Sequence, residues 1–442
     1  MDSPLLALWH ECAGARSLPA AASRPAGPRP PRLSVRGFSA VRPFLPGGLE
    51  CPAVRVLIVT AKRPFPPVGG GNLVVHHLAD ALLRRGAEVR VIALGTPAGV
   101  DAPYPVLGVA ARPRSWWRVA HHLLLPPPAA LARFRLPALA RAVVEASESF
   151  RPDVVHVEQL HLGWLAARRP GRVPVVLREQ NVESQVLRRF APLHRWPLRV
   201  LLAREARRTE SWERRAWCEA DAVAAISEPN AVEIRRVAPT ARVTVLDAPF
   251  ALEPSRPPAT RLDGSPPVVC LGSFDWAPNR DGASWFLREV WPQVSRGLAG
   301  AVLHVAGPGS QSLPGGRADV RLHGPVPDAA AVHGGGAVSV IPVRAGSGVR
   351  LRILEAWALG VPTVTTTVGG EGLVGASGDG ALVADEPHSF AAAIAALTRD
   401  AVLRARLVSA GRGKLGRHAP DVVADQALRL YESLASGGGG RA

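Results

Sequence analysis

The chain has 442 residues, 47% of them hydrophobic and 20% charged, with a formal net charge of +17. That length allows two or three domains, and that balance excludes a chain disordered throughout. No uninterrupted apolar run reaches the ~18 residues that a membrane-spanning helix requires, so no such helix is expected.

Lysine occurs only at Lys62 and Lys414, so the positive charge is almost wholly arginine. With 43 Gly and 43 Pro, this skew points to a GC-rich coding sequence as one source of the basic balance. Polyanions remain the natural partners: nucleic acid, an anionic membrane surface or a phosphate-bearing substrate. Cys12, Cys51, Cys218 and Cys270 lie far apart, without a CxxC or Cys/His cluster. A zinc site or disulfide framework is therefore not expected, and free thiols in the cytoplasm are.

Residues 1–52 are rich in Pro, Arg and Ala, without periodicity and without the compact apolar core of a secretory signal. They read as a disordered leader or as the product of a start site set too far upstream. Folded character begins at Val54. Val54 to Thr60 (VRVLIVT) is a buried-strand pattern, and Gly69, Gly70 and Gly71 close the loop after it. An amphipathic helix, Leu73 to Arg85, and a strand, Glu88 to Leu94, complete a βαβ unit. Further strands are expected at Val154 to Val157, Val173 to Leu177 and Ala222 to Ile226, with a long basic helix at Pro197 to Cys218. These make an N-terminal domain over 53–250. The proline-rich stretch 251–267 reads as a linker. A second α/β series, 268–420, opens with the strand Val268 to Gly272. The helix Asp281 to Val290, the strand Val302 to Ala306 and the short strand Val320 to Leu322 follow. The Asp421 to Leu434 stretch within 421–442 is helical and amphipathic, and it is expected to pack back on the N-terminal domain.

The most informative segment is SVIPVRAGSGVRLRILEAWALGVPTVTTTVGGEGL, beginning at Ser339. A strand, Val338 to Val343, runs into a loop holding Gly346, Ser347 and Gly348. The helix Val349 to Leu359 follows, stopped by Gly360, and the strand Thr363 to Thr367 comes next. Ser347 is a good helix N-cap, which places Arg350 and Arg352 in the first turns. Cations are disfavoured there by the helix dipole, so an anion is expected beside them. Backbone N–H groups, dipole and guanidinium groups would converge on a phosphate.

These residues resemble a known family. GSGVRLRILEAWALGVPTVTTTVGGEGL, LGSFDWAPNRDGASWFLREVWP, LREQNVES and the glycine-rich turn after VRVLIVT are similar to segments of family 4 retaining glycosyltransferases. The resemblance covers about Val54 to Leu434. It implies the GT-B fold, two Rossmann-like doubly wound α/β domains facing a cleft. It also implies transfer of a sugar from a nucleotide-diphosphate donor to a glycan or lipid-linked acceptor, with retention, in cell-surface polysaccharide or glycolipid synthesis. The donor would bind the C-terminal domain and the acceptor the N-terminal one. No metal or other cofactor is implied, in keeping with the lack of an Asp-x-Asp pair.

The resemblance assigns Glu355 to the donor ribose hydroxyls, against the plain alternative of an ion pair with Arg352. It also places Gly370 and Glu371 of the GGEGL motif at the donor. Three departures from the family pattern stand out. Ser347 replaces a glutamate that contacts the donor sugar. Ser273 and Asn279 replace an Arg and a Lys that meet the diphosphate. Glu158 and Gln180 stand where relatives often carry His. Arg350 and Arg352 are then the remaining cations for the leaving group, aided by backbone donors at Gly272 and Ser273. Glu158, Gln180, Asn181 and Glu183 follow apolar strands, where such folds build their sites, while His156 reads as buried structure. The acceptor hydroxyl is expected near Gly69 to Gly71, its proton passing to the departing phosphate.

The stretch 187–217 carries nine arginines, with Phe190, Trp196, Trp212 and Trp217 interleaved. It reads as a possible contact with anionic lipid at the inner face of the membrane. The rival readings are a sugar-nucleotide epimerase of the same fold and an inactive nucleotide- or glycan-binding relative. Nucleic-acid binding is not expected, since the chain carries no matching motif.

Overall fold

The structure is a computed structural model describing residues 54–437, other than 66–68, 96–101, 112–115, 169–170, 252–261, 327–328, 335 and 376–377. The expected leader and most of the expected linker lie outside the described residues.

Two sheets form the scaffold. The first contains β1 (Arg55–Thr60), β2 (Glu88–Leu94), β3 (Val106–Val109), β4 (Val154–Glu158), β5 (Val175–Glu179), β6 (Ala222–Ala225) and β7 (Val243–Val245). Their order is β3-β2-β1-β4-β5-β6-β7. The second contains β8 (Pro267–Leu271), β9 (Val302–Ala306), β10 (Val320–Gly324), β11 (Val338–Ile341), β12 (Thr363–Thr365) and β13 (Leu382–Val383). Their order is β10-β9-β8-β11-β12-β13. All the pairings are parallel. Helices cover both faces of a parallel sheet, so its strands are apolar nearly throughout, as RVLIVT of β1 is. Strand order reverses at β1/β4 and at β8/β11, and crevices open beyond the carboxyl ends of strands at such points.

The helix Pro420–Gly437 leaves the second domain and returns to the first, as expected. Val423, Ala424, Ala427 and Tyr431 join Val56, Ile58, Leu78 and Leu82 in one buried cluster against β1 and the helix Gly70–Arg84. Arg84 pairs with Asp421 at 2.9 Å and Arg85 with Asp425 at 2.7 Å along the exposed rim of that contact. Another apolar cluster joins the two domains, with Val74, Ile226 and Ala248 meeting Ile341, Val343, Leu351 and Leu354.

Several elements differ from the sequence expectation. The helix expected from Leu73 begins at Gly70, so two of the three glycines lie in its first turn. The helix expected at Asp281 to Val290 instead runs Ala277–Trp285, widens into a π-helical turn at Phe286–Val290 and continues as Trp291–Gly297. Pro278 and Pro292 occupy first turns, where a missing N–H costs nothing. Helices at Pro137–Phe150 and Glu228–Val237 were not foreseen, and both also carry proline in the first turn.

The helix Ala277–Trp285 lies so close to the end of β11 that a Cβ on Gly282 would fall 2.1 Å from the Pro342 carbonyl oxygen. Neither partner is a flexible side-chain tip. Gly282→Ala is therefore expected to lower stability by about 2 kcal/mol or more, read as a lower denaturation midpoint. An unchanged midpoint would show that this packing is looser than described.

Candidate functional site

The crevices of the two sheets face each other, and the two glycine-rich turns meet there. A Cβ on Gly70 would contact Leu351 Cδ1 at 3.3 Å, across the domain boundary. Gly348 has φ 77, and a Cβ on it would fall 2.0 Å from the Gln180 carbonyl oxygen. Only glycine permits that approach.

The loop between β11 and the next helix departs from the expected geometry. The helix starts at Leu351, with Arg350 as its extended N-cap residue, so it is two residues shorter than expected. Ser347 does not cap it. Its fully buried Oγ accepts from Val182 N at 3.0 Å and from Asn230 Nδ2 at 2.7 Å, both in the other domain. Asn181, with its amide nitrogen turned toward the loop, donates to the Ser347 and Gln180 carbonyls at 2.6 and 3.0 Å. The loop is thus pinned to the first domain by polar contacts. Gly360 ends the helix at φ 73, as expected.

The two arginines at the helix start have different partners. Arg350 lies over the Trp276 ring, 5.5 Å from its centroid, and its Nε and Nη2 are buried without a hydrogen-bond partner among the described residues. Burial pulls its pKa down to about 10, Glu371 opposes that and Arg189 reinforces it, so it stays cationic at neutral pH. A Cβ on Gly346 would fall 2.0 Å from Arg350 Nη2, so this glycine makes room for the guanidinium. Arg352 instead gives its Nη1 to both Glu355 oxygens, at 2.8 and 2.7 Å. The expected convergence of Arg350 and Arg352 on one point is not what the geometry gives. Arg350 keeps two desolvated nitrogens without a hydrogen bond among the described residues, with Glu371 as the nearby opposite charge, while Arg352 neutralises the buried Glu355.

The remaining residues that the resemblance places at the donor lie in the second domain. Asn279 Nδ2 donates to the Ser273 carbonyl at 3.0 Å, so it shapes the turn after β8 and brings no charge. Gly272 packs beside the Phe274 ring, and a Cβ on Gly307 would lie 2.0 Å from the Gly272 carbonyl oxygen. Gly370 closes a short helical turn, Thr367–Gly370, capped by Thr366 Oγ1. Glu371, directly after it, is held by Arg189 in a two-pronged ion pair.

In the first domain, Gln180 approaches Gly71 closely. Its Oε1 would lie 3.0 Å from a Cβ there, and its Nε2 stands 3.4 Å from the Gly71 carbonyl oxygen. Behind it runs a buried chain of hydrogen bonds. Gln180 Nε2 donates to Glu158 Oε2 at 2.9 Å, His156 Nε2 stands 3.1 Å from Glu158 Oε1, and Tyr431 Oη lies 2.7 Å from His156 Nδ1. Burial pushes the Glu158 carboxyl up, but the His156 hydrogen bond, the Arg178 charge and Gln180 outweigh it and hold it below the usual range. An ionised Glu158 fixes the imidazole with its proton on Nε2, so the Tyr431 hydroxyl donates to Nδ1. Glu158 is only 1% exposed, so Gln180 and not Glu158 presents this chain to the cleft. Glu183 begins the next helix, its carboxyl raised above the usual range by burial, with the Lys62 charge opposing.

Sequence reasoning passed over Lys62, Arg189, Asn230 and Trp276. Lys62 is solvent-exposed, yet protein packed around it pulls its amine below the usual lysine range, against the Glu183 charge. Its signal was its rarity. Arg189 was counted in the basic stretch 187–217, but it turns into the cleft. That stretch is not a single surface: Phe190 and Trp217 are buried, and Trp217 Nε1 donates to Glu179 at 2.8 Å. Trp196 is 80% exposed.

Comparison with known proteins gives a consistent picture. The family model described as Glycosyltransferase Family 4 matches residues 68–253, and that described as Glycosyl transferases group 1 matches residues 265–400. The phosphatidyl-myo-inositol mannosyltransferase of Mycobacterium leprae is 28% identical over 392 residues, covering 85% of this chain and 96% of that protein. The Mycobacterium tuberculosis H37Rv protein of the same name is 28% identical over 396 residues, with the same shares covered. Among solved structures, sucrose-phosphate synthase from Thermosynechococcus elongatus superposes with a TM-score of 0.68 at 19% identity, over 87% of this chain and all of that one (100%). Anabaena HepE in complex with UDP-glucose gives 0.58 at 14% identity, over 86% of this chain and 99% of that one. These structural likenesses establish the GT-B fold.

Tyr431→Phe removes the hydroxyl at the far end of the buried chain and leaves His156 Nδ1 unpaired. The expected cost is about 1–3 kcal/mol of stability in chemical denaturation. A neutral result would mean that Nδ1 finds another donor.

Proposed function

The chain belongs to the group 1, family 4 glycosyltransferases, and from that membership we propose that it moves a glycosyl group from a nucleotide-diphosphate sugar to a lipid-linked acceptor, with retention of configuration. The observation that carries the donor half is the unpartnered, buried guanidinium of Arg350 at the tip of the helix Leu351–Leu359. A diphosphate there meets one fixed cation, the glycine-loop N–H groups and the positive end of a helix dipole. Charge grows on the leaving phosphate as the C1–O bond breaks, so these groups favour the transition state over the bound donor. Glu355, held by Arg352, is the acceptor for the ribose hydroxyls. Gln180, oriented by Glu158, presents its amide to the sugar and acceptor beside Gly71. The departing phosphate oxygen takes the acceptor proton. Arg350, with its pKa near 10, keeps its own.

The mycobacterial relatives are named for transfer of mannose to phosphatidyl-myo-inositol, which makes GDP-mannose and an inositol phospholipid the first pair to assay. In a thermal-shift screen of UDP, GDP, ADP and TDP sugars, one nucleotide class is expected to stabilise the protein. Arg350→Ala should weaken binding of that nucleotide about 10- to 100-fold, the cost of ~1.5–3 kcal/mol for a charge-assisted contact. Unchanged binding in a folded Arg350→Ala protein would remove the donor assignment.

A peripheral contact with the membrane's inner face is part of the same proposal. Trp196, Val200, Leu124 and Leu125 are exposed together with several arginines. Arg204 and Arg208 donate to the Leu123 carbonyl at 2.8 and 3.0 Å, which ties the helix Trp116–Leu124 to the helix Leu198–Glu219. Co-flotation with vesicles containing anionic phospholipid is expected at low salt and should weaken as salt rises. Trp196→Ser combined with Leu124→Ser should abolish it. Flotation with purely zwitterionic vesicles alone would contradict an electrostatic contact.

A further inference from the structure

Arg189 is the last basic residue of the acceptor-domain helix Glu183–Phe190, yet its three hydrogen bonds all go to the donor domain. Nη1 donates to Glu371 Oε2 at 2.6 Å and to the Gly346 carbonyl at 2.7 Å, and Nη2 donates to Glu371 Oε1 at 2.8 Å. The side chains are 28% and 17% exposed, so the pair is largely shielded from water. A fork on a carboxylate fixes direction as well as distance, which a lone ammonium cannot do.

Gly346 stands between two guanidinium groups. Its carbonyl accepts from Arg189, and the space of its absent Cβ is taken by Arg350 Nη2. Glu371 neutralises Arg189, while Arg350 keeps a charge that no hydrogen bond satisfies. One interdomain ion pair therefore sets the backbone on which the proposed diphosphate cation rests. A nucleotide sugar held between two domains is exchanged only when they part, and parting them breaks all three Arg189 bonds.

We infer that Arg189 is a positioning residue for glycosyl transfer: by clasping Glu371 and the Gly346 carbonyl across the cleft, it locks the donor-phosphate loop in its reactive place only when the domains are closed. This rests on the proposed donor site but adds a group from the opposite domain. It acts through the loop and need not touch the donor. Its loss should leave donor capture by the open donor domain largely intact and slow the step that needs closure. It should also let water compete with the acceptor.

The test uses the full-length protein with the nucleotide sugar and acceptor that support transfer. Arg189→Ala and Glu371→Gln are each expected to lower kcat at least tenfold and to raise the ratio of donor hydrolysis to transfer, and Arg189→Ala is expected to change nucleoside-diphosphate affinity less than about threefold. Arg189→Lys, which keeps charge but loses the fork, should fall between wild type and Arg189→Ala. The double exchange Arg189→Glu with Glu371→Arg should recover much of the kcat lost by either change alone. Small-angle scattering with donor bound should show a larger radius of gyration for Arg189→Ala than for wild type. Wild-type kcat in Arg189→Ala would overturn the inference, as would a double exchange no better than the worse single change. Failure of the donor site reads out separately, as unchanged nucleotide binding in Arg350→Ala.

Discussion

The arrangement depends on one steric constraint, the contact of two backbones where the domains meet. At Gly348 any side chain would strike the Gln180 carbonyl, and the φ of 77 is itself one that other residues rarely adopt. With the loop that close, Ser347 can bury its hydroxyl between Val182 and Asn230. Arg189 can then span to Glu371, and Gly70 can lie against Leu351. Move the loop outward by the width of a methyl group and each of these contacts is lost.

Charge follows from that geometry. The cleft gathers Arg189, Arg350 and Arg352, and the carboxylates Glu371 and Glu355 answer two of them. Arg350 is left with two desolvated nitrogens that no described residue hydrogen-bonds, an aromatic face beneath it and the charge of Glu371 nearby. A buried cation without hydrogen bonds is costly unless something anionic completes it. The first domain's wall of the cleft is arranged in the opposite manner. Each member of the Tyr431, His156, Glu158 and Gln180 chain has a partner, and its outer end is a neutral amide. One wall of the cleft thus carries unspent positive charge, and the other offers an orientable polar group without net charge. That division suits a diphosphate on one side and a hydroxyl acceptor on the other.

The fold was legible in the sequence because its signals are local. VRVLIVT and the strand Glu88 to Leu94 are read directly from apolar β-branched runs, and Gly360 from its place after a helix. Local pattern failed where a proline opened a helix, as at Pro137, or where a helix widened at Phe286. The site was legible in composition but not in pairing. Ser347 has the chemistry of a cap and serves a different domain instead. Arg350 and Arg352 are two residues apart, so they leave the helix in different directions and find different partners. Arg189 and Phe190 were read as a surface because a run of arginines carries no mark of which one turns inward.

The sequence by itself determined the two α/β halves, the glycine turns and the membership in a glycosyltransferase family. The first two follow from residue type at short spacing, where backbone sterics and apolar periodicity suffice, and the third from motifs the chain shares with that family. Tertiary structure alone decided which cation stays unpaired, which glutamate is neutralised, and that Tyr431 reaches back to His156 across most of the chain's length. Those outcomes depend on distances between residues remote in sequence, and such distances exist only once both sheets and the returning helix have packed.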